Sequence, residues 1–263
     1  MSENFTDQIQ NREQLKKYFR NGQIPSEVHY HELINSMVHK TDDGFSKDQE
    51  NGLNVYNYKA QKSLLSFYAD VNDIHPYYQI TKDEDEPSCL KLRPFSKAEN
   101  SHNSFFFNVD GSLGVGKKPE SNSKIDIDGF AAMQGRIGTY KKGAVRADGK
   151  WHAIIEGLDN CHAFEVIARA GKKGTGRFSM MHAIAISAYG PSGSKIQKLR
   201  SYFGWFWNKL NLRWRGTTHN FRLEIRTNIN YGRDAYVNYN VTQLWNDELF
   251  LDKNDIYDPN REA

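Results

Sequence analysis

Between residues 210 and 241, apolar and polar side chains alternate in three successive runs. Leu210, Leu212 and Trp214 are interleaved with Asn211, Arg213 and Arg215, and Phe221, Leu223 and Ile225 with Arg222, Glu224 and Arg226. The third run sets Ala235, Val237, Tyr239 and Val241 against Tyr236, Asn238 and Asn240. Successive side chains of a strand point to opposite faces, so a period of two puts one face in a core and the other in water. A helix, with its period of 3.6, cannot sort these residues in that way. Residues 151–155, 162–168 and 181–188 are apolar runs divided by glycine-rich loops, and they too predict strands. With Gly216-Thr217-Thr218 and Asn230-Tyr231-Gly232-Arg233 as connections, the last three strands predict a meander. It would sit in a jelly-roll-like antiparallel β-sandwich spanning 130–246.

The first part of the chain reads differently. Asn11 with Gln14 fits a helix cap, and Leu15, Tyr18 and Phe19 form a helical stripe ending at Gly22. A second helix is predicted from Pro25, with Tyr30, Leu33, Ile34 and Met37 on one face and Asp42-Asp43-Gly44 as its stop. Two helices this short are not stable alone, so they must pack on each other, on the main body or on a partner, and residues 1–44 read as a helical docking segment. Residues 45–104 are mixed: 64–68 suit a helix or a strand, and 77–80 and 89–92 read as strands. Residues 105–129 are short β runs punctuated by glycine, and 247–263 form an acidic tail. The fold class is therefore mainly β, with a short helical start.

Charge narrows the class of partner. Residues 130–226 carry 17 Lys and Arg against 5 Asp and Glu, a balance of +12, while the remainder carries 18 against 27. A basic body between acidic arms predicts a polyanionic ligand or an acidic partner surface. The segment Tyr202-Phe203-Gly204-Trp205-Phe206-Trp207 cannot turn every ring inward, and it precedes the strand of Arg213 and Arg215. Exposed Trp stacks on sugar rings or bases, and Arg grips anions through two parallel hydrogen bonds. The candidate ligand-binding residues are thus Trp205, Trp207, Arg213, Arg215, Arg222 and Arg226.

Catalytic and cofactor signals are absent from the pattern. The loops at 111–116 and 171–176 lack the GxxxxGK[ST] spacing and read as hairpin turns. His29 and His31 fall on different sides of a helix. His152, His162 and His182 lie on separate strands, and the adjacent Cys161 and His162 point to opposite faces. No enzyme, metal or cofactor is expected. Cys89 and Cys161 are too few for a secreted disulfide framework, and no apolar leader or stretch of about 18 apolar residues occurs. The expectation is synthesis in the cytoplasm and no membrane span.

Two stretches carry a family resemblance. Phe107-Asn108-Val109-Asp110-Gly111-Ser112-Leu113-Gly114-Val115-Gly116, continuing through Pro119 to Lys124-Ile125-Asp126-Ile127-Asp128-Gly129, resembles a glycine-punctuated repeat of phage tail fibres and adhesins. The run from Tyr18 to Ser26, with Asn35-Ser36 and His39 to Gly44, is similar to the N-terminal part of tail-associated proteins of Bacteroidetes phages and extracellular contractile injection systems. This resemblance implies a non-enzymatic particle component that intertwines as a homotrimer and docks on baseplate or tail proteins. Its β domain would bind a cell-surface ligand such as an anionic glycan. The alternatives are a structural baseplate or cap part and a free-standing lectin. Nucleic acid is not called for, and the mature protein would work in an extracellular or virion-like particle.

Overall fold

The computed structural model describes residues 10–40, 42–56, 63–83, 88–95, 101–252 and 256. It resolves into two compact units, 1–131 and 132–263. Both are built mainly of β-strands.

The first unit opens with helices α1 (Arg12–Tyr18) and α2 (Glu27–Asn35). Asn11 caps α1 as its spacing predicts, its side chain accepting from the Gln14 N–H at 3.0 Å. At the start of α2 the Ser26 N–H donates to His29 Nδ1. The helices meet through a stacked Tyr18–His29 pair with ring centres 4.0 Å apart and an edge contact of Phe19 with Tyr30. Neither helix has a buried residue. The second helix is shorter than predicted. It stops at Asn35, where the Ser36 hydroxyl bonds back to the Glu32 carbonyl and competes with continuation of the helix. The region 42–56 then forms the hairpin β1 (Phe45–Asp48) and β2 (Gly52–Val55).

The rest of this unit is one sheet of six strands in sequence order: β3 (Ser63–Phe67), β4 (Tyr78–Lys82), β5 (Leu90–Pro94), β6 (Phe105–Phe107), β7 (Leu113–Val115) and β8 (Ile125–Ile127). The ambiguous 64–68 stretch is thus strand. Neighbours are antiparallel except the parallel pair β7–β8. That short parallel return is possible because of Gly114. A Cβ there would lie 2.1 Å from the Lys117 carbonyl oxygen and 2.8 Å from Pro119 Cδ.

The second unit is a sandwich. Its strands are β9 (Lys141–Arg146), β10 (His152–Leu158), β11 (Cys161–Gly171), β12 (Phe178–Ala188), β13 (Lys195–Phe203), β14 (Leu210–Gly216), β15 (Phe221–Thr227) and β16 (Tyr236–Asn246), followed by the single turn α3 (Asp247–Phe250). A five-stranded sheet of order β13-β12-β11-β16-β9 faces a three-stranded sheet of order β10-β15-β14. Phe164, Val166, Met181 and Val237 of one sheet share a core with Leu212, Trp214, Leu223 and Ile225 of the other. The predicted alternation holds along the three late strands except at Glu224, which is buried, but the predicted meander does not form. β14 and β15 pair, whereas β16 leaves them and inserts between β11 and β9. Alternation sets which face of a strand is wet; it carries no information about the neighbouring strand. β9 and β13, at the sheet edges, were not legible because exposed positions interrupt their apolar pattern.

Candidate ligand-binding site

Four connections of the sandwich gather at one end: 147–151, 172–177, 204–209 and 228–235. They follow from strand direction, since β9, β11 and β13 all finish there and β12 and β16 begin there. Backbone bonds tie them together. Tyr231 N–H donates to the Ala147 carbonyl at 2.8 Å, Asn228 N–H to the Lys209 carbonyl at 2.9 Å, and Asp148 forms a β-bridge with Asn230. The Arg177 guanidinium donates to the Asn230 carbonyl at 2.8 Å. Gly204, at φ 86°, approaches the Gly176 carbonyl so closely that a Cβ would stand 2.6 Å from it.

The aromatic segment occupies the 204–209 turn. Asn208 is completely buried and donates its amide to the Phe203 carbonyl at 2.8 Å, while its backbone N–H closes the turn onto Trp205. With the backbone pinned from beneath, the rings stand outside: Trp205 is 71% exposed and Trp207 53%. Phe206 lies against Trp207 with ring centres 4.2 Å apart. Both predicted tryptophans are therefore on the surface at this end.

The four predicted arginines lie elsewhere, on the outer face of the three-stranded sheet. The register sets Arg213 opposite Glu224, Arg215 opposite Arg222 and Asn211 opposite Arg226. Most of that charge is already engaged. Glu224, 5% exposed, accepts from Arg213 Nε and Arg222 Nε at 2.7 Å each. Burial opposes the charge on Glu224, but the two guanidinium groups outweigh it and hold the carboxyl below its ordinary value. Arg213 and Arg226 stack on the Trp151 ring, 4.3 and 4.4 Å from its centre. Arg215 is exposed beside Arg222. The structure thus groups the arginines with one another and with Trp151, a residue sequence reasoning assigned only to a strand.

A cleft of about 500 Å3 opens at the loop end, lined by Arg146, Asp148, Asn230, Arg233, Asp234 and Tyr236. Sequence reading treated the 230–233 segment as a turn and missed these side chains. The one available signal was an arginine immediately after a turn glycine. Asp148 accepts from His152 Nε2 at 2.8 Å and from the Lys150 N–H at 2.9 Å. Burial works against its charge, but those bonds prevail and its pKa is lowered. Lys150, Lys172, Lys173 and Arg177 stand exposed on the adjoining loops.

The histidines are dispersed. His152 pairs with Asp148, His182 with Glu165, and His162 with the Asp159 carbonyl, burial pushing the His162 imidazole down. Among the described residues no group of three or more His, Cys, Asp or Glu is placed to hold a metal ion. Asp247 is buried at the opposite end of the sandwich, where it accepts from the Cys161 N–H and Trp245 Nε1. No helix among the described residues is long and apolar enough to cross a membrane.

Fold and site together define a two-unit, mainly β protein with an aromatic and cationic surface at one end of a sandwich. No protein-family profile matches the chain, and no curated protein matches its sequence. Among solved structures, a weak likeness is found to the crystal structure of the Acinetobacter phage vB_ApiP_P1 tailspike protein. It has 12% identity and a TM-score of 0.27, and covers 49% of this chain and 26% of the tailspike. This chain therefore spans about a quarter of that protein's length.

Proposed function

We propose that this chain is an adhesin-like, tail-fibre-like component of a phage-tail-like contractile particle. It docks by its N-terminal helices and binds a cell-surface ligand through its sandwich. In this reading it binds without catalysing, and it works in an extracellular particle after synthesis in the cytoplasm. The observation that carries the binding role is the pinned 204–209 turn, which holds Trp205 and Trp207 in water on a rigid backbone. Rings kept exposed at that cost in hydrophobic burial are explained by a ligand that covers them. The resemblance of residues 18–44 and 107–129 to tail proteins supplies the particle.

A second reading, a structural baseplate or cap part that binds only protein, is favoured by the helical pair, which buries none of its own residues. The Trp205→Ala/Trp207→Ala double variant separates the two. Particles carrying it should assemble normally and lose attachment to target cells by tenfold or more, about 1.4 kcal/mol. Unchanged attachment together with loss of assembly on deletion of the chain would establish the structural role instead.

A further inference from the structure

We infer that the cleft between Arg146–Asp148 and Asn230–Tyr236 binds an acidic saccharide, a sugar bearing a carboxylate or sulfate, with Arg146 and Arg233 gripping the acid group. The inference rests on the binding role proposed above and gives it a site and a ligand class. The site differs from the arginine face that the sequence suggested.

The contrast among arginines carries the argument. Arg213 and Arg222 are committed to Glu224, Arg136 to Glu165 and Arg177 to the Asn230 carbonyl. Arg146 and Arg233 are both exposed, line one cleft, and are in no ion pair among the described residues. Two free guanidinium groups lining one cavity are a ready receptor for a carboxylate or sulfate, either of which offers two oxygens to a guanidinium's paired donors. The cleft's volume of about 500 Å3 suits a sugar-sized guest.

The same cleft also holds two carboxylates, and these choose between polyanions. Asp148 spends its Oδ1 on His152 and Lys150, leaving Oδ2 to accept. Asp234 is exposed, with Lys172 at 3.7 Å. Carboxylates accept hydrogen bonds from sugar hydroxyls, which surround every ring. They repel a phosphodiester backbone, which offers them no donor in return. Cations for the acid and acceptors for the hydroxyls, side by side, match an acidic sugar better than a nucleic acid strand.

The walls are built to keep this geometry. Tyr231, 1% exposed, is anchored by its hydroxyl to Ser179 at 2.9 Å and by its backbone to Ala147. The Gly149 N–H donates to Thr227 Oγ1, and Asp234 turns the loop at φ 61°. The backbone of the walls is thus already ordered before binding, and only the arginine side chains remain to be fixed. The tryptophan turn stands at the same end, available to the neighbouring sugars of a longer chain.

The test is titration calorimetry of the full chain with a polygalacturonate oligosaccharide, a neutral dextran oligosaccharide and a single-stranded oligonucleotide at matched salt. The wild type should prefer the uronate and weaken as salt rises, because exposed charges are screened beyond about 10 Å at 0.1 M. Arg146→Gln/Arg233→Gln should lose tenfold or more in affinity with an unchanged melting temperature, and Asp148→Asn should lose several-fold. Arg215→Ser should bind as wild type. Unchanged uronate binding in the double arginine variant, equal binding of dextran, or tighter binding of the oligonucleotide would each overturn the site. If cells are still bound by a variant that has lost uronate binding, the saccharide assignment fails while the adhesin role stands. If uronate binds at the cleft but the chain is dispensable for cell attachment, the adhesin role fails and the site stands.

Discussion

Glu224 shows how one residue can reverse the meaning of a pattern. On the sequence, four arginines on two strands look like an open cationic face, with Glu224 as the single carboxylate among them. In the structure that carboxylate is buried and reaches two guanidinium groups at 2.7 Å, while Arg213 and Arg226 both stack on Trp151. Three of the four arginines are thus engaged within the face, and its central acid carries a testable load. Because the folded state holds the Glu224 carboxyl below its ordinary value of 4.5, its contribution to stability is present above that pH. The contribution is lost as pH falls through the depressed value, since the unfolded chain takes up the proton first. Glu224→Gln should lower sandwich stability by about 1–2 kcal/mol at pH 7, the loss being moderated by the partial exposure of both arginines. It should also flatten the fall in stability between pH 5 and 3. Denaturant unfolding followed across that range measures both effects, and an unchanged acid slope in the variant would remove Glu224 from this role.

Among the elements, legibility followed periodicity. β11, β12, β14 and β15 were readable because long apolar or alternating runs leave little choice of structure, and the Asn11 cap was readable because capping is local chemistry. The partner of β16 was not readable, since pairing is decided by the whole core. The cleft was hidden for a related reason: Arg146 and Arg233 are separated by most of the sandwich in sequence and meet only through the β9–β16 register. Trp205 and Trp207 were found because composition alone forbids burying six adjacent positions on one side. The helical pair permits a sharper statement. It buries nothing, and its two helices hold each other through the Tyr18–His29 stack and a Gln10–Glu32 hydrogen bond. Removing residues 1–40 should therefore leave the melting temperature of the remainder within about 2 °C, well below the shift expected from losing a packed element. Particle incorporation should be lost. A large destabilisation on truncation would mean that the helices belong to a core.

For the molecule as a whole, the six-stranded sheet of the first unit poses a question that the chain does not answer alone. Its register aligns Leu65, Ile80, Leu92, Phe105, Val115 and Ile127 in one row across the sheet, with Leu90, Phe107, Leu113 and Ile125 in the next. Both rows share a face, because residues two apart on a strand point the same way. The opposite face is covered by the chain itself: Phe106 is buried there, and Lys118 of the β7–β8 connection pairs with Asp83 at 2.5 Å. The first face stays open, with Phe107 at 45% and Ile125 at 64% exposure. Strands about 4.8 Å apart and three to five residues long make this a continuous apolar patch of roughly 400 Å2 in plan. That is within the range of the largest apolar patch on a monomer, about 300–600 Å2, and such patches are often functional surfaces. Turned inward around a threefold axis, this face of three copies can share one apolar core, with Lys82 at its edge left toward water. The prediction is self-association through this face, as the trimer that the glycine-punctuated segment suggests. Light scattering at micromolar concentration should give three times the 30.4 kDa chain mass. Phe107→Lys/Ile125→Lys should give the chain mass alone, with the β signature in circular dichroism retained, because both side chains already stand in water. A wild-type monomer, or a variant that still assembles, would mean that this face does not join the copies.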